Sequence, residues 1–357
     1  MITTLPQNWI FKPLKYVDDF VSDSLSETIS PGYRFRYVDI SSVSSEVGIE
    51  NYSETTFAES PSRARKRVVA GDTIVSTVRT YLKAIALIDD ADDVIVSTGF
   101  SVIRARDHIS DYLYYLCTSD LFCQQVNKYS WGIAYPAISE KLMGRILVPV
   151  PPKEEQALIA GFLDEKCASI DATVSILEKQ IATLERYRAS VIHEAVTKGL
   201  NPDAPMKPSG VNWIGDIPEK WQLKRIKFMF DTSSGATPES SNWDLYDGGI
   251  NWIQSGDLYA RYVITETGRT VSNKALSEVS ALKIYKAPFV VMAMYGASVG
   301  NVSISNIDAC TNQACCVMLP KEEASAQYLF YALMDSQAFL KHKALGGTQP
   351  NISQVII

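Results

Sequence analysis

The sequence is poor in histidine, a residue that metal sites and nucleophilic centres often use. Its three histidines, His108, His193 and His342, stand far apart without ligand spacing, so we expect no metal site. It contains no GxxxxGKS/T or GxGxxG motif, the usual signatures of nucleotide binding. The chain is therefore predicted not to be an enzyme.

Paired cysteines and long apolar runs are also missing. The longest apolar run, residues 287–295, is interrupted by Pro288, and no signal-peptide pattern opens the chain. We therefore expect a cytoplasmic protein without a membrane span. None of the six cysteines has CxxC spacing, and we interpret them as reduced and mostly buried thiols: Cys117, Cys123, Cys167, Cys310, Cys315 and Cys316.

Length and charge further limit the number of domains and the class of protein that the chain can represent. A chain of 357 residues, 46% of them hydrophobic, has room for two domains and a connector. The formal net charge of −6 argues mildly against a stand-alone nucleic-acid binder, because phosphate binding usually leaves a basic footprint. It does not exclude one, since a basic face can be local and a partner can supply part of the positive field.

One long helix is predicted over residues 152–199. Proline is tolerated in its first turn, acidic residues follow at the positive end of the helix dipole, and Lys198 and Gly199 close the other end. At a rise of ~1.5 Å per residue such a helix is roughly 70 Å long. Apolar residues recur every seven positions and call for a partner helix; the two seams are Leu163, Ile170, Leu177, Leu184 and Val191, and Cys167, Val174, Ile181, Arg188 and Ala195.

The segments on either side of this helix are copies of one unit. Residues 217–221 match 5–9, residues 286–304 match 70–88, and residues 328–333 match 112–117. The block QPNIS at 349–353 matches YPAIS at 135–139 with an offset of 214. In the first copy, patterning predicts strands at 33–43, 73–78, 83–88 and 142–150, and either a strand pair or one long strand at 94–104. It also predicts a helix at 110–126 with Ser110 as its N-cap. A repeat of this period indicates two domains rather than a solenoid.

The predicted organisation is therefore a mixed α+β chain with two β-rich domains. The first spans residues 1–150, the long helix 151–200, a Pro- and Gly-rich linker 201–216, and the second domain 217–357. In the first copy the long helix follows Pro149, and the corresponding point in the second copy lies just past Ile357. We expect the sequence to be C-terminally truncated or a naturally short form, without a second long helix.

Four stretches together resemble the specificity subunit of type I restriction–modification enzymes. They are PVPPKEEQALIAGFLDEK at 149–166, the heptads into ERYRASVIHEAVTKGL at 185–200, the linker MKPSGVNWIGDIPEKW at 206–221, and the strand-loop MYGASVGNV at 294–302 with GGTQPNIS at 346–353. The resemblance implies two target-recognition domains joined by a helix that forms an antiparallel coiled coil in the family. Each domain would read one half of a split, asymmetric DNA site.

The same resemblance implies a non-catalytic subunit with several partners. These are double-stranded DNA, adenine methyltransferase subunits and a restriction subunit that translocates DNA and cuts it. No cofactor is expected in this chain; S-adenosylmethionine, ATP and Mg²⁺ would belong to the partner subunits. The helix residues expected to pair with a helix or a partner subunit, or to mediate self-association, are Leu163, Ile170, Val174, Leu177, Ile181, Leu184 and Val191.

Candidate DNA contacts fall into four groups, each with a plainer alternative. The basic cluster Arg63, Arg65, Lys66 and Arg67 is either a phosphate contact or a solubilising loop. Arg79, Tyr81 and Lys83 form one turn. Its counterpart holds Tyr295, Ser298 and Asn301, where Gly296 and Gly300 permit either close approach to DNA or packing of the turn. The last group precedes the closing strand of each copy: Lys128, Trp131 and Tyr135, with Lys343, Thr348 and Gln349.

A different class of function stays open. A bivalent protein-interaction scaffold, dimerising through the heptad helix and binding proteins with its repeated domains, would suit the acidic net charge.

Overall fold

The chain divides into two compact units. The computed structural model describes residues 6, 8–259, 262–343 and 351–352. Unit 1 comprises Met1–Ser175 and unit 2 comprises Ile176–Ile357. The long helix crosses from one unit to the other, because its residues 153–175 count with unit 1 and its residues 176–198 with unit 2.

Unit 1 is a β-rich domain with short helices. Its strands are β1 (Ile10–Pro13), β2 (Asp19–Val21), β3 (Arg34–Val38), β4 (Val43–Ser44), β5 (Gly48–Ile49), β6 (Ser53–Thr56), β7 (Ala64–Arg67), β8 (Thr73–Ser76), β9 (Ile85–Leu87), β10 (Val94–Ser97), β11 (Phe100–Arg104) and β12 (Leu147–Val150). Its helices are α1 (Ser110–Thr118), α2 (Asp120–Tyr129), α3 (Glu140–Met143) and the beginning of α4 (Lys153–Lys198).

Two four-stranded sheets form the body of unit 1. One has the order β2-β11-β8-β9 and the other β6-β3-β10-β7. Strands β8 and β10 are buried along their whole length, which suits their β-branched sequences TIVS and VIVS. Strand β10 runs parallel to β3, and β1 pairs antiparallel with β12, so the end of the domain returns to its beginning.

Unit 2 repeats this plan. Its strands are β13 (Met206–Pro208), β14 (Asp216–Pro218), β15 (Phe230–Ser234), β16 (Tyr246–Ile253), β17 (Val263–Ile264), β18 (Thr270–Val271), β19 (Phe289–Ala293), β20 (Val302–Ser305), β21 (Cys310–Thr311) and β22 (Cys315–Pro320). Its helices are the end of α4, α5 (Ile226–Met229), α6 (Asn273–Glu278), α7 (Ala326–Asp335) and α8 (Gln337–Lys343).

The sheets of the two units correspond in their central strands, while β7 and β17 have no counterpart in the other unit. The order β15-β22-β19-β20 in unit 2 matches β2-β11-β8-β9 in unit 1. The parallel pair β16–β21 stands where β3–β10 stands in unit 1, and a 3-10 segment follows both β3 and β16. Helices α7 and α8 follow the sheet as α1 and α2 do. The predicted fold class is therefore confirmed, with two copies of one α+β scaffold.

Helix α4 begins and ends within one residue of its prediction. It runs from Lys153 to Lys198, with Glu154 and Glu155 in the first turn. Gly199 adopts a positive φ of 77°, the left-handed conformation that commonly ends a helix. Most of its apolar heptad side chains are exposed, among them Ile170 (60%), Leu177 (51%) and Leu184 (64%).

Three local predictions were wrong in detail. The helix at 110–126 is two helices, because Ser119 accepts a bond from Phe122 N and starts α2. Ser110 is not an N-cap; Ile109 occupies that position, and its N–H donates to Gln156 Oε1 from α4. In the closing segment, residues 140–143 form α3, and the strand begins only at Leu147.

The predicted linker also has structure. Residues 206–208 pair antiparallel with 216–218, with Met206 opposite Pro218. Gly210 and Gly215 have positive φ values of 75° and 72°, which lets the chain turn back between the two strands. After α4, unit 2 therefore continues with a small hairpin rather than an extended connector.

The described cysteines are free thiols, as predicted. Cys117, Cys123, Cys310, Cys315 and Cys316 are buried and Cys167 is exposed on α4. Burial raises the pKa of the Cys310 thiol to about 11. None of the helices in the described part of the chain has the length and apolar character needed to cross a membrane.

Candidate nucleic-acid interface

Two loops of unit 1 brace each other at one edge of the domain. We call residues 77–83 and 130–138 the paired loops. Arg79 N donates to Pro136 O at 2.7 Å, and Ile138 N donates to Thr77 O at 2.8 Å. Ser130 Oγ donates to Val126 O, so Thr80 Oγ1 donates to Ser130 Oγ at 3.0 Å. Two of these three bonds join backbone atoms only, so they do not depend on which side chains stand at those positions.

The backbone of the paired loops is sharply turned. Arg79 and Lys83 have positive φ values of 52° and 49° on either side of a 3-10 segment at Thr80–Leu82. Non-glycine residues occupy this region rarely and at an energetic cost, so the surrounding bonds must hold them there. Gly132 has φ 117°, and a Cβ there would lie 2.9 Å from Tyr135 O. The loop geometry therefore depends on glycine at this point.

The structure brings six of the sequence-predicted residues together on these loops and the adjoining end of α2. Arg79, Tyr81 and Lys83 lie on the first loop, Trp131 and Tyr135 on the second, and Lys128 in the last turn of α2. Trp131 is 81% exposed and Tyr135 65% exposed. The Arg79 guanidinium lies 4.8 Å from the centre of the Tyr135 ring, a cation–π contact that orients both.

The charges at the paired loops are not equivalent. Lys83 Nζ lies 2.8 Å from Asp120 Oδ1, and this hydrogen-bonded pair raises the pKa of Lys83 and lowers that of Asp120. Arg79 and Lys128 are exposed, and within the described part of the chain neither forms an ion pair. These two cations are therefore the ones best placed for phosphate contacts.

The residues of the basic cluster at β7 differ in their contacts and in their exposure. Lys66 Nζ lies 2.6 Å from Glu140 Oε1, and its side chain is only 14% exposed. The Arg65 guanidinium lies 4.6 Å from the centre of the Phe57 ring. Arg63 and Arg67 are exposed. Lys66 thus serves an internal ion pair, while Arg63 and Arg67 remain candidate phosphate contacts.

In unit 2 the corresponding turn is built for packing as much as for contact. Asn301 Oδ1 accepts a bond from Gln337 Nε2 at 3.1 Å, and the same amide donates to Gly300 O. Asn301 N donates to Ser298 O, which closes the turn. Tyr295 is 36% exposed and forms a backbone bridge with Asn351. The packing alternative therefore accounts for Asn301, and Tyr295 is the more accessible candidate.

The remaining candidates of unit 2 fall at or beyond the limits of the description. Lys343 ends α8, but nothing is described of its side chain. Thr348 and Gln349 lie outside the described residues. The backbone next to them repeats unit 1, because Ile352 N donates to Met294 O as Ile138 N donates to Thr77 O.

Each unit holds its part of α4 through residues that patterning did not single out. In unit 1 the buried Gln156 accepts from Ile109 N at 2.8 Å and donates to Pro151 O at 2.9 Å. Tyr115 donates to Asp164 Oδ1 at 2.7 Å. In unit 2 Tyr328 donates to Val196 O at 2.8 Å. A long polar side chain at the start of a predicted helix was the only available signal, and it does not identify its partners.

Each unit also contains a His–Asp pair, and in unit 2 the histidine of the pair belongs to α4. In unit 1 His108 Nδ1 lies 2.6 Å from Asp18 Oδ2, and neither side chain is exposed. His108 Nε2 donates to Pro149 O at 3.0 Å, because a carbonyl only accepts. In unit 2 His193 Nδ1 lies 3.0 Å from Asp335 Oδ2, with His193 39% exposed.

The heptad side chains of α4 form a second candidate surface. We call Ile170, Val174, Leu177, Ile181, Leu184 and Val191 the apolar seam; their exposed fractions lie between 46% and 64%. Leu163 is half-buried. Contiguous apolar exposure of this kind marks an interaction surface. Within the described residues, no cluster of three or more His, Cys, Asp or Glu side chains is arranged to hold a metal ion.

Comparison with known proteins identifies the scaffold. The model of the family described as type I restriction modification DNA specificity domain matches residues 26–186 and 218–357. The type I restriction enzyme MjaVIII specificity subunit of Methanocaldococcus jannaschii is 25% identical over 273 residues, which is 74% of this chain and 62% of that protein. The HindI specificity subunit of Haemophilus influenzae is 23% identical over 350 residues, 81% of this chain and 75% of that protein.

Solved structures agree with this assignment. The HsdS subunit from Thermoanaerobacter tengcongensis is 27% identical with a TM-score of 0.58, covering 98% of this chain and 85% of that one. A chain from a structure that describes complex assembly and conformational transition of the type I R-M system is 26% identical. Its TM-score is 0.68, and the match covers 99% of this chain and 85% of that one.

Proposed function

Because this chain belongs to the family of type I restriction–modification DNA specificity domains, we propose that its two units each bind one half of a split, asymmetric DNA sequence. The family assignment confirms the resemblance drawn from the long helix, the linker and the repeated loops. The relatives are named specificity subunits, in agreement with the prediction that the chain is not itself an enzyme.

The paired loops of unit 1 carry this proposal. They place Arg79 and Lys128 beside the exposed Trp131 and Tyr135 on a backbone held by its own hydrogen bonds. Cations suit phosphate contacts that set register, while planar and polar side chains suit base edges or distorted bases. The acidic net charge of the chain is compatible with this local cationic edge.

The chemistry would belong to partner subunits. We assign adenine methylation to methyltransferase subunits with S-adenosylmethionine, and cleavage to a translocating nuclease subunit with ATP and Mg²⁺. The specificity chain would select the sequence on which they act. Such a complex works where the host DNA lies, in the cytoplasm.

The apolar seam is the proposed docking surface for these partners or for a second helix. Replacing Leu177 with Asp puts a charge where an apolar contact is expected, while Leu177 is 51% exposed and its loss should scarcely affect folding. We expect co-purification with the methyltransferase to fall about tenfold or more. The matched control is Leu158→Asp, on the same helix, 74% exposed and off the seam. Equal losses from both variants would contradict the assignment.

Methylation mapping tests the proposed function directly. The chain is co-expressed with an adenine methyltransferase subunit from the same operon, and methylated adenines are mapped across genomic DNA. The proposal predicts a two-part motif with an unread gap. A methylated motif without a gap, or no methylation that depends on this chain, would favour the bivalent protein scaffold instead.

A further inference from the structure

The tip of the second paired loop presents an aliphatic side chain without cover. Ile133 is 106% exposed relative to its reference, more than any other large apolar residue described. Its neighbours Gly132 and Ala134 are small, so the side chain stands clear of the loop on both sides. Burying this side chain in a partner would gain the free energy of removing an apolar surface from water, and sequence patterning did not single it out.

The loop that carries Ile133 is held rather than free. Trp131 and Ala137 exchange two backbone bonds of 2.9 Å each, so residues 132–136 form a closed turn. The turn is fixed to the first paired loop by the bond from Arg79 N to Pro136 O. A prearranged tip loses little conformational freedom when it enters a binding partner.

The surroundings of the tip favour duplex DNA as that partner. Arg79 and Lys128 stand on the paired loops and at the end of α2, and the exposed rings of Trp131 and Tyr135 flank the tip. The contact centre of a protein–protein interface is depleted of charge and built from a broad packed patch. A single aliphatic tip framed by cations and aromatic rings matches the wedges that enter base steps of DNA.

Resting on the DNA-binding function proposed above, we propose that Ile133 is a wedge that enters between two adjacent base pairs of the half-site bound by unit 1. Its side chain would replace part of the lost base stacking, and the neighbouring cations would hold the phosphates on either side. Opening a base step in this way bends the duplex and adds specificity for steps that unstack readily.

The wedge is specific to unit 1. With the offset of 214 between YPAIS and QPNIS, Ile133 corresponds to Gly347 and Trp131 to Leu345. A glycine has no side chain to insert. We therefore expect one opened step per bound site, in the half-site of unit 1.

Fluorescence of 2-aminopurine tests the wedge. The full chain, in complex with its methyltransferase subunits, is bound to duplexes that carry the mapped motif with 2-aminopurine at each position of the unit 1 half-site in turn. One step should brighten with the wild type and stay dark with Ile133→Ala. The variant should bind about tenfold more weakly. Brightening that persists in Ile133→Ala at the methylated position reports base extrusion by the methyltransferase.

A duplex that is already unstacked provides the second measurement. An abasic site at the brightened step should tighten wild-type binding about tenfold, since the cost of opening the step is removed. The same abasic site should tighten binding of the Ile133→Ala variant about threefold or less. The matched control is Val47→Ala, an aliphatic side chain 72% exposed on the β4–β5 turn, which should bind like the wild type.

Three results would overturn the wedge. Sequence-specific binding with no Ile133-dependent brightening would reject it while leaving the proposed function intact. Loss of methyltransferase binding by Ile133→Ala in the absence of DNA would make the tip a protein contact. Absence of any split motif in the methylation map would reject the proposed function, and the wedge with it.

Discussion

The two units use the same backbone construction to hold different loops. Val78 bridges Ala137 in unit 1, and Tyr295 bridges Asn351 in unit 2. The next residues, Ile138 and Ile352, are both buried and donate to corresponding carbonyls. Between these fixed points the sequences diverge, with SWGIAYP in one unit and ALGGTQP in the other. The comparison shows that the two units share the backbone bonds next to these segments, while the sequences of the segments differ.

The units also differ in the burial of their His–Asp pairs. The His108–Asp18 pair of unit 1 is fully buried, while His193 of unit 2 is 39% exposed. Removing one partner of a buried pair leaves an uncompensated charge, but an exposed pair is screened by water. The His–Asp pair should therefore contribute more to the stability of unit 1 than to that of unit 2.

The largest expected effect comes from His108→Ala. It leaves Asp18 buried without its partner and removes the bond to Pro149 O, so we expect a loss of about 3–5 kcal/mol in unit 1. His193→Ala should cost about 1 kcal/mol or less. Hydrogen exchange resolved by unit, with denaturant titration, measures both. A comparable loss from the two variants would remove the proposed difference between the units.

Truncating the corresponding isoleucines should affect the units alike. Ile138 is 5% exposed and Ile352 is 0% exposed, so an alanine at either leaves a cavity in a buried core. We expect each variant to lose about 2–4 kcal/mol, confined to its own unit. Limited proteolysis at each unit, alongside denaturation, checks this. Loss of protection in the other unit would show that the units do not fold independently.

Substitutions of Arg79 and Lys66 should differ, by a smaller effect, in the salt dependence of DNA binding. Arg79→Gln removes a cation available for phosphate, and the slope of log affinity against log salt should fall by about one. Lys66→Gln breaks an internal pair with Glu140, so it should lower stability and leave the salt slope unchanged. Fluorescence anisotropy at several salt concentrations measures the slopes. An unchanged slope in Arg79→Gln would place phosphate binding elsewhere.

The smallest perturbation is thiol labelling of the native chain. Burial raises the pKa of Cys310 to about 11, so at pH 8 it carries almost no thiolate, and the other core cysteines are likewise buried. Cys167 is exposed on α4 and should react alone. Mass spectrometry of labelled peptides identifies the site. Protection of Cys167 in a complex with partner subunits would show that this part of the helix is covered there.

The elements that depend on local signals were predicted well from the sequence. The bounds of α4 follow from acidic residues at one end and Gly199 at the other. The repeat revealed that two copies of one scaffold are present, because matched blocks mark buried strands in both. The sequence also placed the basic and aromatic residues Arg79, Tyr81, Lys83, Trp131 and Tyr135 near turns, and their contact with DNA stays a prediction.

Features that depend on distant partners were not predicted. Lys66 looked available for DNA because Glu140 lies 74 positions away in sequence. The break between α1 and α2 was hidden, because apolar periodicity continues across Ser119 while its hydroxyl starts a new helix. Ile133 was passed over for the opposite reason: a lone aliphatic residue is usually buried, and only the fold shows that this one is not.

The backbone bonds that hold the paired loops have a consequence for how such a chain changes over generations. Arg79 N to Pro136 O and Ile138 N to Thr77 O are made by atoms that every substitution preserves, apart from a proline at a donor. Mutation or recombination can therefore exchange residues 133–135 without disturbing the frame around them. Under the proposed function, new DNA specificities would become accessible through single substitutions in this stretch while the frame stays in place.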